Sequence, residues 1–242
     1  MPPVPGPGDD TASRIADARA AIAKAARSAG RDPQGVRIVA VSKTLPPAAV
    51  VAALAAGLTD VGENYVQEAA RKRTAVDRPA TWHLIGGLQR NKVAAAVRTF
   101  DWVHTVDSSR LAVALDAAVA SAGRRMPVLI QVNAGGATGQ HGADPEQAPE
   151  LAEVVVGLPA LALQGLMTIA PAGGSSDELR SHFRRVRMLR DEIAKRLGVE
   201  LPHLSMGMSD DLSLAVEEGA TLVRLGRALF GPRGSRSWQE GA

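Results

Sequence analysis

The sequence predicts an α/β protein: a single (β/α)8 TIM barrel with an extra N-terminal helix. Three observations point there. Eight short apolar runs alternate with segments of helical period, and polar and glycine residues collect where the apolar runs end. No Gly-x-Gly-x-x-Gly follows the first strand, which argues against an open doubly wound sheet. No internal linker is marked, so the expected organisation is a disordered leader over 1–8, one barrel over 9–232 and a loose tail over 233–242.

The elements follow in order. Asp9 to Gly30 reads as a helix, with Asp10 or Thr11 as cap, Ile15, Ala18, Ile22 and Ala25 on one stripe and Gly30 as stop. Val36 to Lys43 is the first strand, and Pro47 opens a helix through Ala56. Asp60–Gly62, Trp82–Ile85 and Trp102–Val106 are the next strands, followed by helices over about Tyr65–Thr74, Asn91–Arg98 and Ser108 or Ser109 to Ala122. In the second half, strands are expected over Val128–Asn133, Leu161–Ile169, His203–Met206 and Thr221–Leu229. Helices are expected over about Pro145–Val156, Asp177–Leu197 and Asp211–Glu218, with the tail loose or a short final helix.

Composition narrows the function. Hydrophobic residues are 45% and aromatics only 3%, so the core must be built from small and branched aliphatics. With no cysteine there is no disulfide, thiolate metal site or cysteine nucleophile, which fits a cytoplasmic protein. The net charge of +3 is spread thinly apart from Arg71-Lys72-Arg73 and Arg184-Arg185, and one tyrosine with three phenylalanines offers little stacking surface. Nucleic-acid binding is therefore not expected. The five histidines lack metal-ligand spacing. Met1 to Gly8 has neither a basic nor an apolar signal region, and no apolar run approaches a membrane span.

The stretch Val39-Ala40-Val41-Ser42-Lys43-Thr44 carries the chemistry. Strand alternation puts Val39, Val41 and Lys43 on one face. An amine at the end of a buried barrel strand opens into the face where this fold builds its sites, and desolvation favours its nucleophilic neutral form. The functional reading is a Schiff base between Lys43 and pyridoxal phosphate; the plain one is a lysine that reaches solvent. Ser209, Gly226 and the N–H of Arg227, in the last two strand-end loops, read as an anion pocket, or else as a helix cap and a barrel bend. Parity in Leu222-Val223-Arg224-Leu225-Gly226 points Arg224 into the barrel mouth, where a guanidinium requires a partner. Glu63 or a ring nitrogen could serve. Against an arginine that nitrogen stays unprotonated, and the ring becomes a weaker electron sink.

These residues resemble the pyridoxal phosphate homeostasis protein family, itself similar to the N-terminal barrel of bacterial alanine racemase. The matching runs are Ala40-Val41-Ser42-Lys43-Thr44, Gly62-Glu63-Asn64-Tyr65-Val66-Gln67-Glu68, Trp82-His83-Leu84-Ile85-Gly86, Leu88-Gln89-Arg90-Asn91-Lys92, Gly165-Leu166-Met167-Thr168-Ile169, Ser205-Met206-Gly207-Met208-Ser209-Asp210 and Val223-Arg224-Leu225-Gly226. The resemblance implies that Lys43 carries the cofactor as an internal aldimine. It further implies that Ser209, Gly226 and Arg227 hold the phosphate, Arg224 faces the pyridine nitrogen, Asn64 and Met208 sit near the ring, and His83 lines the barrel. Two departures stand out. Thr138-Gly139-Gln140-His141-Gly142 lacks a lysine that members often carry, and Arg227 stands where many have Ser or Thr.

Two-base racemisation needs acid and base on opposite faces of Cα. The resembling alanine racemase takes its second base, a tyrosine, from a further domain of a partner subunit; here the sole tyrosine is Tyr65. The expectation is thus a monomeric protein of intracellular pyridoxal phosphate homeostasis without robust catalysis, with apo-enzymes as recipients. An amino-acid racemase on the same lysine, and a barrel enzyme acting on a phosphorylated metabolite without the cofactor, are the alternatives.

Overall fold

Eight parallel strands close on themselves, each paired with the next in chain order and the last with the first. They are β1 (Arg37–Val41), β2 (Asp60–Glu63), β3 (Thr81–Leu84), β4 (Trp102–Val106), β5 (Met126–Gln131), β6 (Leu161–Met167), β7 (His203–Ser205) and β8 (Leu222–Leu225). The helices are α1 (Pro7–Ser28), α2 (Pro47–Ala55), α3 (Val66–Ala75), α4 (Val93–Thr99), α5 (Ser109–Ser121), α6 (Ala148–Val156), α7 (Ser176–Leu197), α8 (Leu212–Glu217) and α9 (Arg227–Phe230). This computed structural model describes residues 7–135 and 141–232. The expected leader up to residue 6, the tail 233–242 and most of the Thr138–Gly142 loop lie outside the described residues.

The single (β/α)8 barrel with its extra N-terminal helix is the fold that the sequence predicts. Local chemistry explains the boundaries. Ser175 and Glu178 form a reciprocal capping box on α7, and Gly198 ends it at φ 64°. Ser108 caps α5 by accepting from the Leu111 N–H, and Pro47 at the start of α2 has no helical N–H to lose. α1 begins at Pro7, two residues before the expected Asp9. The apolar run expected as one strand to Leu229 instead breaks at Gly226: β8 stops at Leu225, and Arg227–Phe230 turns as α9. Apolarity alone does not distinguish a short strand from a helical turn.

Alternation divides the apolar residues between two cores. Ile38 and Ala40 in β1, Val61 in β2, Trp82 and Leu84 in β3, and Val223 and Leu225 in β8 face outward and pack under the helices. Inside the barrel, Val39, Leu129, Met167 and Leu222 form a separate small cluster, with Trp102 and Ile169 against it. Gly165 permits the shift in register between β5 and β6. It sits at φ 147°, and a Cβ there would lie 1.8 Å from the carbonyl oxygen of His203.

Candidate functional site

A cavity of about 260 Å³ opens at the C-terminal ends of the strands, where barrels of this kind build their sites. Lys43, Asn64, Met208, Ser209, Arg224, Gly226 and Arg227, the seven residues singled out from the sequence, all line it. Val41, Ile85 and Ile169 supply apolar wall.

Lys43 is half-buried and lies two residues beyond the end of β1, in a turn rather than on the strand as expected. A buried ionic cluster behind the turn fixes both of its neighbours. The Lys72 ammonium, wholly buried on α3, donates to the Ser42 carbonyl at 2.6 Å, to Glu63 at 2.7 Å and to Glu68 at 2.6 Å. The Ser42 hydroxyl donates to Glu63 at 2.6 Å, and the Thr44 N–H donates to Glu68 at 2.5 Å. Thr44 stands at φ 66°, a left-handed conformation that a β-branched residue adopts only when its surroundings hold it there. Burial pushes the Glu63 carboxyl up, while Lys72 and the Ser42 hydroxyl oppose the shift. The spacing of Glu68 and Lys72, one helical turn apart on α3, was the available sequence signal; a basic run such as Arg71-Lys72-Arg73 usually marks a solvated face.

Next to the lysine's strand in the closed barrel, the loops after β7 and β8 are stitched together. Ser209 does not cap α8: its hydroxyl accepts from the Ala228 N–H at 3.1 Å, joining the two loops. The Met208 N–H donates to Asp211 at 2.5 Å, and burial pushes that carboxyl up against this bond and the Arg224 charge. At the exposed rim the Arg227 side chain pairs with Asp210, so its charge is already engaged. Gly207, at φ 93°, lets the turn pack on α8, where a Cβ would approach that of Ala215 to 2.5 Å.

Arg224 points into the barrel, as parity predicts, and is 5% exposed. Of the two partners that the sequence offered, a ring nitrogen and Glu63, the latter does not meet it. One terminal nitrogen donates to the Ser205 hydroxyl at 2.9 Å and the other to the Thr168 carbonyl at 2.8 Å, while Glu63 faces α3. Burial lowers its pKa to about 10, against the attraction of Asp211, and the guanidinium stays charged at neutral pH. His83 lines the barrel with two partners, Asp60 at 2.8 Å and His104 at 2.9 Å. His104 in turn meets the Ser205 hydroxyl at 3.0 Å. Thr168 and Ser205 stand in the matching runs but carried no assigned role, and His104, inside an apolar strand run, had no distinct sequence signal.

Tyr65 is 58% exposed and borders a neighbouring polar cleft of about 590 Å³, together with Gln67, Gln89, Lys92 and His141; it does not line the cavity of Lys43. Among the described residues no cluster of His, Asp or Glu could hold a metal ion, and no helix is long and apolar enough to cross a membrane.

Residues 16–234 match the family model described as alanine racemase, N-terminal domain. The chain is 46% identical over 223 residues to a pyridoxal phosphate homeostasis protein of Pseudomonas aeruginosa, covering 92% of this chain and 95% of that one. The corresponding protein of Aquifex aeolicus is 41% identical over 88% of this chain and 93% of its own. A structure of PipY from Synechococcus elongatus with PLP bound superposes with a TM-score of 0.79 at 38% identity, over 91% of this chain and all of that one (100%). An alanine racemase of Corynebacterium glutamicum, 16% identical with a TM-score of 0.68, shares the fold over 95% of this chain and 64% of its own. Sequence match and barrel geometry together make this chain a member of the pyridoxal phosphate homeostasis protein family.

Proposed function

We propose that the protein binds pyridoxal 5'-phosphate in the 260 Å³ cavity, with Lys43 as its covalent anchor, and serves intracellular homeostasis of the cofactor without robust catalysis of its own. The observation that carries this reading is the convergence of a half-buried amine, a buried cationic donor and a hydroxyl-bearing double loop on one small cavity. The residues present fit the group. Lys43 would supply the amine that anchors the cofactor through its aldehyde, with water as the leaving group. Ser209, Gly226 and the backbone of Arg227 suit the phosphate, and Asn64 and Met208 suit the ring edge and face. Bound pyridoxal phosphate supplies an electron sink; Arg224, charged and able only to donate, would leave its ring nitrogen unprotonated and weaken that sink.

The non-catalytic part of the reading rests on Tyr65, which borders the neighbouring cleft rather than the cavity of Lys43, while Asp210 at the cavity rim is paired with Arg227. We take the protein to be a cytoplasmic monomer whose recipients are apo-enzymes that need the cofactor. Titration with pyridoxal phosphate is expected to raise a visible absorption band that Lys43→Ala abolishes while the far-ultraviolet circular dichroism is retained. A band of full intensity in Lys43→Ala would overturn the anchor. Exchange of Cα hydrogen of alanine or serine in heavy water at enzymatic rates would overturn the non-catalytic role and favour a racemase.

A further inference from the structure

The interior of the barrel contains a line of polar groups that the cavity alone does not explain. From the mouth inward it runs Arg224, Ser205, His104, His83, Asp60, with successive separations of 2.9, 3.0, 2.9 and 2.8 Å. The links come from β8, β7, β4, β3 and β2, so the line crosses the barrel rather than following one strand. His83, His104 and Ser205 are wholly buried and Asp60 is 2% exposed. At the far end Arg37 of β1 and the Thr59 hydroxyl also bond Asp60.

The direction of every bond can be assigned by exclusion. Asp60 lies at about 2: burial alone would raise it, but the His83 bond, the Thr59 hydroxyl and the Arg37 charge more than compensate. It is a carboxylate that only accepts, so His83 donates through Nε2. Burial lowers the His83 and His104 pKa values, and both rings are neutral, each with one N–H. His83 Nδ1 must then accept, which makes His104 Nε2 its donor. His104 Nδ1 in turn accepts and takes the Ser205 hydroxyl proton. The Ser205 lone pairs are left facing Arg224, a group that can only donate. Five groups thus have one consistent arrangement of protons, set by the charges at its two ends.

We propose that Asp60, His83, His104 and Ser205 form a directed hydrogen-bond relay whose role is to position Arg224 at the cavity mouth. Asp60 fixes the tautomer of His83, His83 that of His104, and His104 the rotor of Ser205. With Ser205 and the Thr168 carbonyl holding its two terminal nitrogens, the guanidinium has one orientation in which to meet a ligand acceptor. These four are positioning residues, since none of them lines the cavity. The inference uses the pyridoxal phosphate reading only for the identity of the group that Arg224 meets.

The relay is tested on the full-length protein without cofactor, by long-range proton–nitrogen NMR of 15N-labelled histidine. His83 and His104 are expected as single Nε2–H tautomers at neutral pH, and Asp60→Asn is expected to release His104, which it does not touch, into a tautomer mixture. A Nδ1–H or doubly protonated His104 in the wild type would overturn the relay, as would an unchanged His104 in folded Asp60→Asn. Ser205→Ala, which keeps every other link, is expected to raise the Kd for pyridoxal phosphate about tenfold, as loss of one charged hydrogen bond would, and to shift the visible maximum. Ser205→Thr should restore both. A Ser205→Ala protein with wild-type Kd and spectrum would overturn the positioning role. A wild-type protein that takes up no pyridoxal phosphate would refute the cavity assignment instead, and the histidine spectra would still decide the relay.

Discussion

The two sides of the β-sheet solve opposite problems. Outside it, Ile38, Ala40, Val61, Leu84, Val103, Val223 and Leu225 lock under the helices in an aliphatic layer that extends around the barrel. Inside, among the described residues, Val39, Leu129, Met167 and Leu222 form a small apolar cluster with Trp102 and Ile169 against it, and the interior also holds Asp60, His83, His104, His203, Ser205 and Arg224. Barrel interiors are more often filled by layers of branched aliphatic side chains. The difference teaches that the outer layer suffices to define the fold, which leaves the interior available for a polar line reaching the site. Each interior polar group is tolerated because it is paired, and each pairing constrains orientation more than it adds stability.

The comparison breaks most visibly where an ion is buried in the outer layer. Lys72→Ala removes the ammonium that neutralises Glu63 and Glu68 behind the Lys43 turn, and is expected to cost about 3–5 kcal/mol in urea unfolding. Phe100→Ala, a purely apolar loss in the same layer, should cost a similar 3–5 kcal/mol. Only Lys72→Ala should also slow formation of the visible band, because it frees the carbonyl and carboxylates that hold the turn. Equal band kinetics in the two variants would remove the clamp from the account.

Acid sharpens the contrast next. Burial lowers the pKa values of His83, His104 and His203 inside the barrel, and that of His182 outside it to about 4, all from an ordinary 6.5. Between those values the unfolded chain binds more protons than the native one, so stability is full above pH 6.5 and declines as pH falls toward 4. The melting temperature should therefore fall over that window, and His182→Gln should retain most of the decline because the interior rings remain. A flat profile from pH 7 to about 4.5 would show that those rings are charged or hydrated in the folded protein.

The smallest effect is expected at the rim. Asp210→Ala breaks an exposed pair and should leave the urea midpoint at the wild-type value. It also releases the Arg227 guanidinium beside the cavity, so the affinity for pyridoxal phosphate should hold or tighten. Weakened binding would mean that Asp210, rather than Arg227, contributes to the pocket.

The outer layer and the mouth of the barrel were legible in the sequence because both depend on local pattern. Alternation in Leu222-Val223-Arg224-Leu225 fixes which side chains turn inward, and the strand-end loops collect glycine and hydroxyl residues where the cavity forms. The interior line was not legible. Ser205 meets His104 across 101 residues of chain, and no periodicity encodes which strands face each other through a closed barrel. Lys72 was hidden for a different reason: a lysine within Arg71-Lys72-Arg73 looks solvated until Glu63, on another element, is brought beside it. Glu63 could have been paired with either cation by charge alone, and the outward parity of β2 decides for Lys72 over Arg224.

The most direct test of the central claim is borohydride reduction of the protein loaded with pyridoxal phosphate, followed by peptide mapping. One stable adduct is expected, on Lys43, lost in Lys43→Ala, with Lys72 unmodified in its buried cluster. Label on another lysine with Lys43 left bare would contradict it.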